Sequence, residues 1–149
     1  MQTSVTLIRE RGLLMSEANK HLVRRWFEEV WNQKNAAAIA EMFSTEGKSY
    51  GFPDADSVLI GPAGFKSLHE TYVGAFPDLK FTLIDMVAEG DCVAVRWTVE
   101  ATHGGGHLGI APTGRRITHH GATFLHIRNN QLVAGWNEMD MHNLFQQLH

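Results

Sequence analysis

The sequence predicts an α+β fold, with three N-terminal helices packed on one face of a curled antiparallel sheet and a short helix at the C-terminus. Two observations predict it. Apolar residues before residue 78 recur at helical spacing, whereas those after it alternate or form β-branched runs. The order is helices first and strands afterwards, which favours segregated α+β layers over alternating βαβ units. A length of 149 residues suits a single domain. A composition of 44% hydrophobic and 19% charged residues is that of a globular chain.

Residues 1–14 read as an N-terminal extension outside the folded domain, which would span 15–149. Met15 resembles a fresh start, and Ser16 is a good helix N-cap. Leu22, Val23, Trp26, Phe27, Val30 and Trp31 then form one continuous apolar stripe of a first helix, with Arg24, Arg25, Glu28 and Glu29 opposite. Asn32 to Asn35 break it. A second helix is expected from about Ala36 to Phe43, with Ile39, Met42 and Phe43 inward. Gly47 to Asp56 reads as a loop or short strand around Tyr50 and Phe52. Gly61-Pro62 opens a third helix, whose apolar face is Phe65, Leu68, Tyr72 and Phe76, and Pro77-Asp78 ends it.

Four strands follow, at Leu79–Val87, Cys92–Thr102, Arg115–Arg128 and Leu132–Met139. Glu89-Gly90-Asp91 and Asn129-Asn130 are hairpin turns. The glycine-rich stretch 103–114 is expected to be a solvated loop at the rim of the fold. Met141 to Leu148 forms the terminal helix, with Asp140 as its N-cap. A strongly curved sheet capped by helices encloses a cone-shaped pocket that can admit a ligand.

Several function classes are excluded or disfavoured. A net charge of −3 and a pI near 6.3 give no electrostatic footprint for nucleic acid. No apolar run approaches the ~20 residues of a membrane span, and the first residues lack the order of a secretory signal. Cys92 is the lone cysteine, so no intrachain disulfide forms, and an inert thiol in a reducing cytoplasm is expected. His103 and His107 are four apart but lie in a loop without accompanying carboxylates, so no metal site is expected. Gly104-Gly105-Gly106 has no following lysine and is not a phosphate loop.

Five stretches together resemble the SnoaL-like polyketide cyclase (ester cyclase) branch of the nuclear transport factor 2-like superfamily. They are Val23 to Asn32, Gly61-Pro62-Ala63-Gly64-Phe65-Lys66, Ala75 to Leu79, Leu108 to Arg116, and Leu144-Phe145-Gln146-Gln147-Leu148. The resemblance implies a homodimer whose subunits each hold an apolar cavity for a small hydrophobic ligand, with no cofactor. It also implies closure of a polyketide ring by intramolecular aldol chemistry with an acid/base carboxylate. That aspartate falls on Asn137 here, and a histidine of such cyclases falls on Thr123. An amide has no titratable proton near neutrality, so Asn137 can stabilise an oxyanion but cannot be the base.

Candidate site residues follow. Asn137 shares a strand face with Met139 and either donates to a ligand carbonyl or is a buried amide held by its neighbours. His119 has the parity of Thr123, so if Thr123 lines the cavity His119 does too, as the group able to exchange protons near neutrality. Arg96 either neutralises an enolate or sits solvated on the outer sheet face. Tyr50, Phe52, Tyr72, Trp26 and Met86 are candidates to line the pocket from the helix side. Register is open. A two-residue turn at Asn129-Asn130 sets Thr123 against Trp136, and a three-residue loop sets it against Asn137. A slip would bring Glu138 or Asp140 inside. The preferred function is a cyclase- or isomerase-type enzyme acting on a small carbonyl compound. In it His119 handles protons, and Asn137 with Arg96 stabilises an enolate. The alternative is a non-catalytic binding protein with the same cavity.

Overall fold

The structure, a computed structural model, describes residues 3–52 and 54–149. Helix α1 runs Ser4–Arg25 and passes directly into a π-helical turn over Trp26–Asn32. It starts at Ser4 rather than at Ser16, because no proline lies between them and the Leu, Arg and Glu residues favour a helix enough to carry it through Gly12. The Thr3 hydroxyl caps it by accepting from Thr6 N–H at 3.4 Å. Met1 and Gln2 of the expected extension lie outside the described residues, while Val5, Ile8, Leu14 and Met15 are exposed to solvent.

All six residues of the predicted stripe are buried. They repeat every four residues, longer than the α-helical period, so a plain α-helix would rotate the stripe by about 40° per repeat. The wider π turn slows that rotation and keeps Trp26, Phe27, Val30 and Trp31 on the core. Inside this turn the Val30 carbonyl accepts from His69 Nε2 at 2.7 Å.

Helix α2 (Ala37–Met42) leads into strands β1 (Phe43–Tyr50) and β2 (Val58–Ile60), then helix α3 (Gly61–Ala75). Strands β3 (Lys80–Glu89), β4 (Cys92–Thr102), β5 (Arg116–Arg128) and β6 (Gln131–Met139) form the expected antiparallel meander, and α4 (Met141–Gln147) closes the chain. The sheet is larger than the meander, with the order β2-β1-β6-β5-β4-β3. β1 runs parallel to β6, so the sheet is mixed rather than wholly antiparallel. Phe43 opens β1 instead of ending α2. Irregularities in the β1/β6, β3/β4 and β5/β6 ladders bend the open sheet into a cone around the helices.

One of these bulges decides the register. Asn129 and Asn130 take φ of 51° and 56°, a two-residue hairpin turn, and Arg128 pairs with Gln131. That turn alone would oppose Thr123 to Trp136. Ile127 pairs with Leu132, however, and His126 with Ala134, so Val133 is an extra residue on β6. The bulge moves every later pair by one, and Thr123 meets Asn137.

The 103–114 loop is pinned rather than freely solvated. His103 is fully buried, and its backbone N–H and carbonyl bond to Arg115 and Gly114, each at 2.9 Å. Its Nδ1 accepts from Thr113 N–H at 3.2 Å. Gly104 and Gly105 N–H both donate to the Ala75 carbonyl at the end of α3. α4 is tied to β5 by the Gln147 amide, which bonds the N–H and carbonyl of Thr118 at 3.0 and 2.9 Å.

Candidate ligand cavity

Between the inner sheet face and the helices lies a hollow with about 60 Å³ available to the centre of a water molecule. Aromatic rings make most of its wall: Trp26 and Trp31 from the π turn, Phe65 and Tyr72 from α3, Phe81 from β3 and Trp97 from β4. Their rings touch edge-on or tilted at centroid separations of 4.9–6.0 Å. These are the separations that ring quadrupoles favour.

Apart from Tyr72, the polar lining is a single chain of hydrogen bonds across four strands. Trp97 Nε1 donates to Thr123 Oγ1 at 3.0 Å, and Thr123 in turn donates to Asn137 Oδ1 at 3.2 Å. Asn137 Nδ2 donates to Ser49 Oγ at 3.2 Å and to the Tyr50 carbonyl at 2.9 Å. A carbonyl can only accept, so the Tyr50 contact fixes which end of the amide faces it. Both amide hydrogens of Asn137 are thereby committed within the protein.

Tyr72 is the exception in this satisfied set. Its hydroxyl is buried and has no hydrogen-bond partner. Burial pushes the phenol well above its ordinary range, so it stays protonated and can act as a donor. A buried hydroxyl without a partner costs about 1–3 kcal/mol.

The structure brings Thr123, Asn137, Tyr72, Trp26 and Met139 together at this cavity. Four expected residues are elsewhere. Arg96 points to the outer face of the sheet, is 62% exposed and donates from Nε to Asp85 at 2.8 Å. Tyr50 stacks on Trp136, with planes 9° apart, also away from the cavity. Met86 is half-buried on β3 beyond the cavity wall. His119 faces inward, as parity requires, yet the indole of Trp97 fills the space over Gly121 and lies between it and Thr123. A Cβ at Gly121 would overlap that indole. His119 is 1% exposed with both ring nitrogens unpartnered, and burial lowers its pKa to about 4. It is neutral at pH 7 and not in contact with the cavity.

Glu138 lies exposed on the outer face, and the Asp140 carboxylate caps α4 by accepting from Asn143 N–H at 2.9 Å. Among the described residues no Asp, Glu, Lys or Arg lines the cavity. Among the described residues no cluster of His, Cys, Asp or Glu could hold a metal ion, and no described helix is long and apolar enough to cross a membrane. Among the lining residues of the hydrogen-bonded chain, sequence reasoning missed two. Ser49 sits on a strand whose sequence does not alternate. Trp97 could have been flagged by its need for an N–H acceptor.

A sequence profile of the SnoaL-like polyketide cyclase family matches residues 21–148. The chain belongs to this family. No curated protein sequence matches it. Among solved structures, it resembles a candidate SnoaL-like polyketide cyclase of Jannaschia sp. CCS1 with a TM-score of 0.82, 18% identity, and coverage of 89% of this chain and 92% of that one. That likeness shows the fold alone. AclR, a candidate hydroxylase of Streptomyces galilaeus, is 30% identical with a TM-score of 0.78, covering 89% and 82% of the two chains. A candidate polyketide cyclase of Acidithiobacillus ferrooxidans is 29% identical with a TM-score of 0.75, covering 88% and 94%.

The fold of this SnoaL-like protein is therefore the open curved sheet packed on helices that it shares with the solved SnoaL-like cyclase. Its cavity departs from the carboxylate chemistry implied by the family resemblance. The position expected for the acid/base aspartate is an amide, and that amide is held in place by Thr123, Ser49 and Tyr50.

Proposed function

We propose that this SnoaL-like protein binds a small, neutral, oxygenated polyketide-like molecule in the aromatic cavity and promotes ring closure or isomerisation there by templating and hydrogen bonding, without a protein base. The observation that carries this reading is the Tyr72 hydroxyl, buried in the cavity wall with no partner. A ligand carbonyl would satisfy it. In an aldol closure the enol carbon bonds to the carbonyl carbon, the carbonyl oxygen gains negative charge, and the Tyr72 O–H donates to it. The proton lost from carbon on enolisation leaves to water, and water returns one to the new alkoxide oxygen, so the product is an isomer of the substrate. A neutral donor aimed at developing charge in a dry site is worth more than the same donor in water.

A second reading, binding without turnover, is favoured by the saturated Asn137 amide and by the absence of any carboxylate or histidine from the wall. Two measurements separate them. Tyr72→Phe should weaken binding of 1,8-dihydroxyanthraquinone about 5- to 15-fold, the worth of one buried hydrogen bond. Incubation with a tricyclic β-ketoester should yield an isomeric ring-closed product at a rate that Tyr72→Phe lowers. Binding that depends on Tyr72, without any such product, supports the second reading. Failure to bind any oxygenated aromatic would remove both.

The family resemblance also suggests a homodimer. The outer sheet face supports it with a group of partly exposed aromatic residues, Phe124, Trp136 and Tyr50, beside His126.

A further inference from the structure

The inner cavity is too small for a multi-ring ligand. Its free space of about 60 Å³ falls well below the roughly 300–1,000 Å³ of sites that bury drug-sized ligands. A second hollow lies on the other side of Phe52 and Leu68, which line both spaces. It is an open groove of about 370 Å³ between α3, the 103–114 loop and α4, walled by Thr71, His107, Leu108 and Phe145. The partition is thin. On its inner side the Phe52 ring meets Tyr72 edge-on at 5.0 Å, and Tyr72 carries the unpartnered hydroxyl.

The groove is built rather than incidental. Its loop wall is held to α3 by the two N–H donors on the Ala75 carbonyl. A Cβ at Gly74 would overlap the His107 ring, so the loop lies directly on the α3 backbone. Among the described residues no Asp, Glu, Lys or Arg lines either hollow. The Thr71 hydroxyl spends its hydrogen on the Ser67 carbonyl at 3.1 Å, which leaves its oxygen to accept.

We infer that the two hollows are the inner and outer subsites of one ligand, an uncharged, multi-ring oxygenated molecule whose reacting end passes Phe52 to reach Tyr72 while the remainder lies in the groove. This rests on the proposed function and sets its size class and charge. Substrates of one or two rings engage the inner site alone. Larger ones gain affinity from Leu108 and Phe145, and their hydroxyls meet Thr71 or His107. A carboxylate on the outer ring meets no lysine or arginine there and binds less well than its neutral counterpart.

The test uses the full chain, 2-naphthol and 1,8-dihydroxyanthraquinone, with binding followed by quenching of the cavity tryptophans. Leu108→Glu and, separately, Phe145→Ser should weaken the three-ring probe about tenfold and shift 2-naphthol less than twofold. Phe52→Ala should speed association of the three-ring probe. If both groove variants leave the three-ring affinity unchanged, or lower the two probes equally, the outer subsite is wrong while the cavity reading stands. If neither probe binds the wild-type protein, the cavity reading fails and takes this inference with it.

Discussion

The indole of Trp97 lies across the backbone of Gly121, and this contact separates His119 from Thr123 although the two share a strand face. It also sets the direction of the Trp97 N–H toward Thr123. The cavity therefore ends at Trp97, and the histidine beyond it is part of the core.

Gly121→Ala should be poorly tolerated. The added methyl would meet both the indole and the Glu138 carbonyl, at 2.8 Å from the latter, and neither can retreat far in a packed core. A loss of about 1–3 kcal/mol is expected, seen as a fall in melting temperature of roughly 2–4 °C per kcal/mol. An unchanged melting temperature would show that Trp97 is free to move.

Replacing Asn137 by the aspartate that the family resemblance implies at this position should not create a base. One carboxylate oxygen would face the Tyr50 carbonyl, now 2.9 Å from the amide nitrogen. The carboxyl group would keep a proton in order to donate there, so its folded pKa would rise above the ~3.9 of the unfolded chain. Stability of Asn137→Asp should then fall as pH rises from about 5 to 8, by roughly 1–3 kcal/mol relative to the wild type. Parallel urea denaturation curves at the two pH values would refute the expectation.

His119 makes the fold acid-sensitive. Burial lowers its folded pKa to about 4, while the attraction of Asp140 opposes the shift and His120 adds to it. The unfolded chain binds this proton near pH 6.5 and the folded one only near 4, so the contribution is complete above pH 6.5. It is lost as pH falls toward 4 and is constant below. Its size is roughly 3 kcal/mol at full loss. His119→Leu should flatten the stability curve between pH 6.5 and 4. The same steep fall in the variant would place the acid sensitivity elsewhere.

The outer aromatic face should hold two copies together. Wild-type protein at tens of micromolar is expected to sediment as a dimer, and Trp136→Glu or Phe124→Glu as a monomer with an unaltered fold. A monomeric wild type would rule out this interface. Phe124 and Trp136 would then remain solvent-exposed in the monomer, at 48% and 38%.

Periodicity and turn chemistry by themselves determined the helices, the four-strand meander, the apolar stripe from Leu22 to Trp31 and the Asp140 cap. Each of these is a local signal written within one element, which is why it is legible. Inward parity was legible too, and it correctly turned Thr123, Asn137, His119 and Met139 toward the core. What lies above a residue on that face depends on other strands, and only the tertiary structure decided it. Trp97 closes the space over His119, and the pairing of β1 with β6 brings Ser49 and the Tyr50 carbonyl to Asn137. Register was the sharpest case. The turn at Asn129-Asn130 has the two residues its sequence suggests, yet Val133 bulges from β6 and moves Thr123 opposite Asn137. A bulge leaves no local signature, because it is the packing of a whole curved sheet against its helices that makes the extra residue favourable.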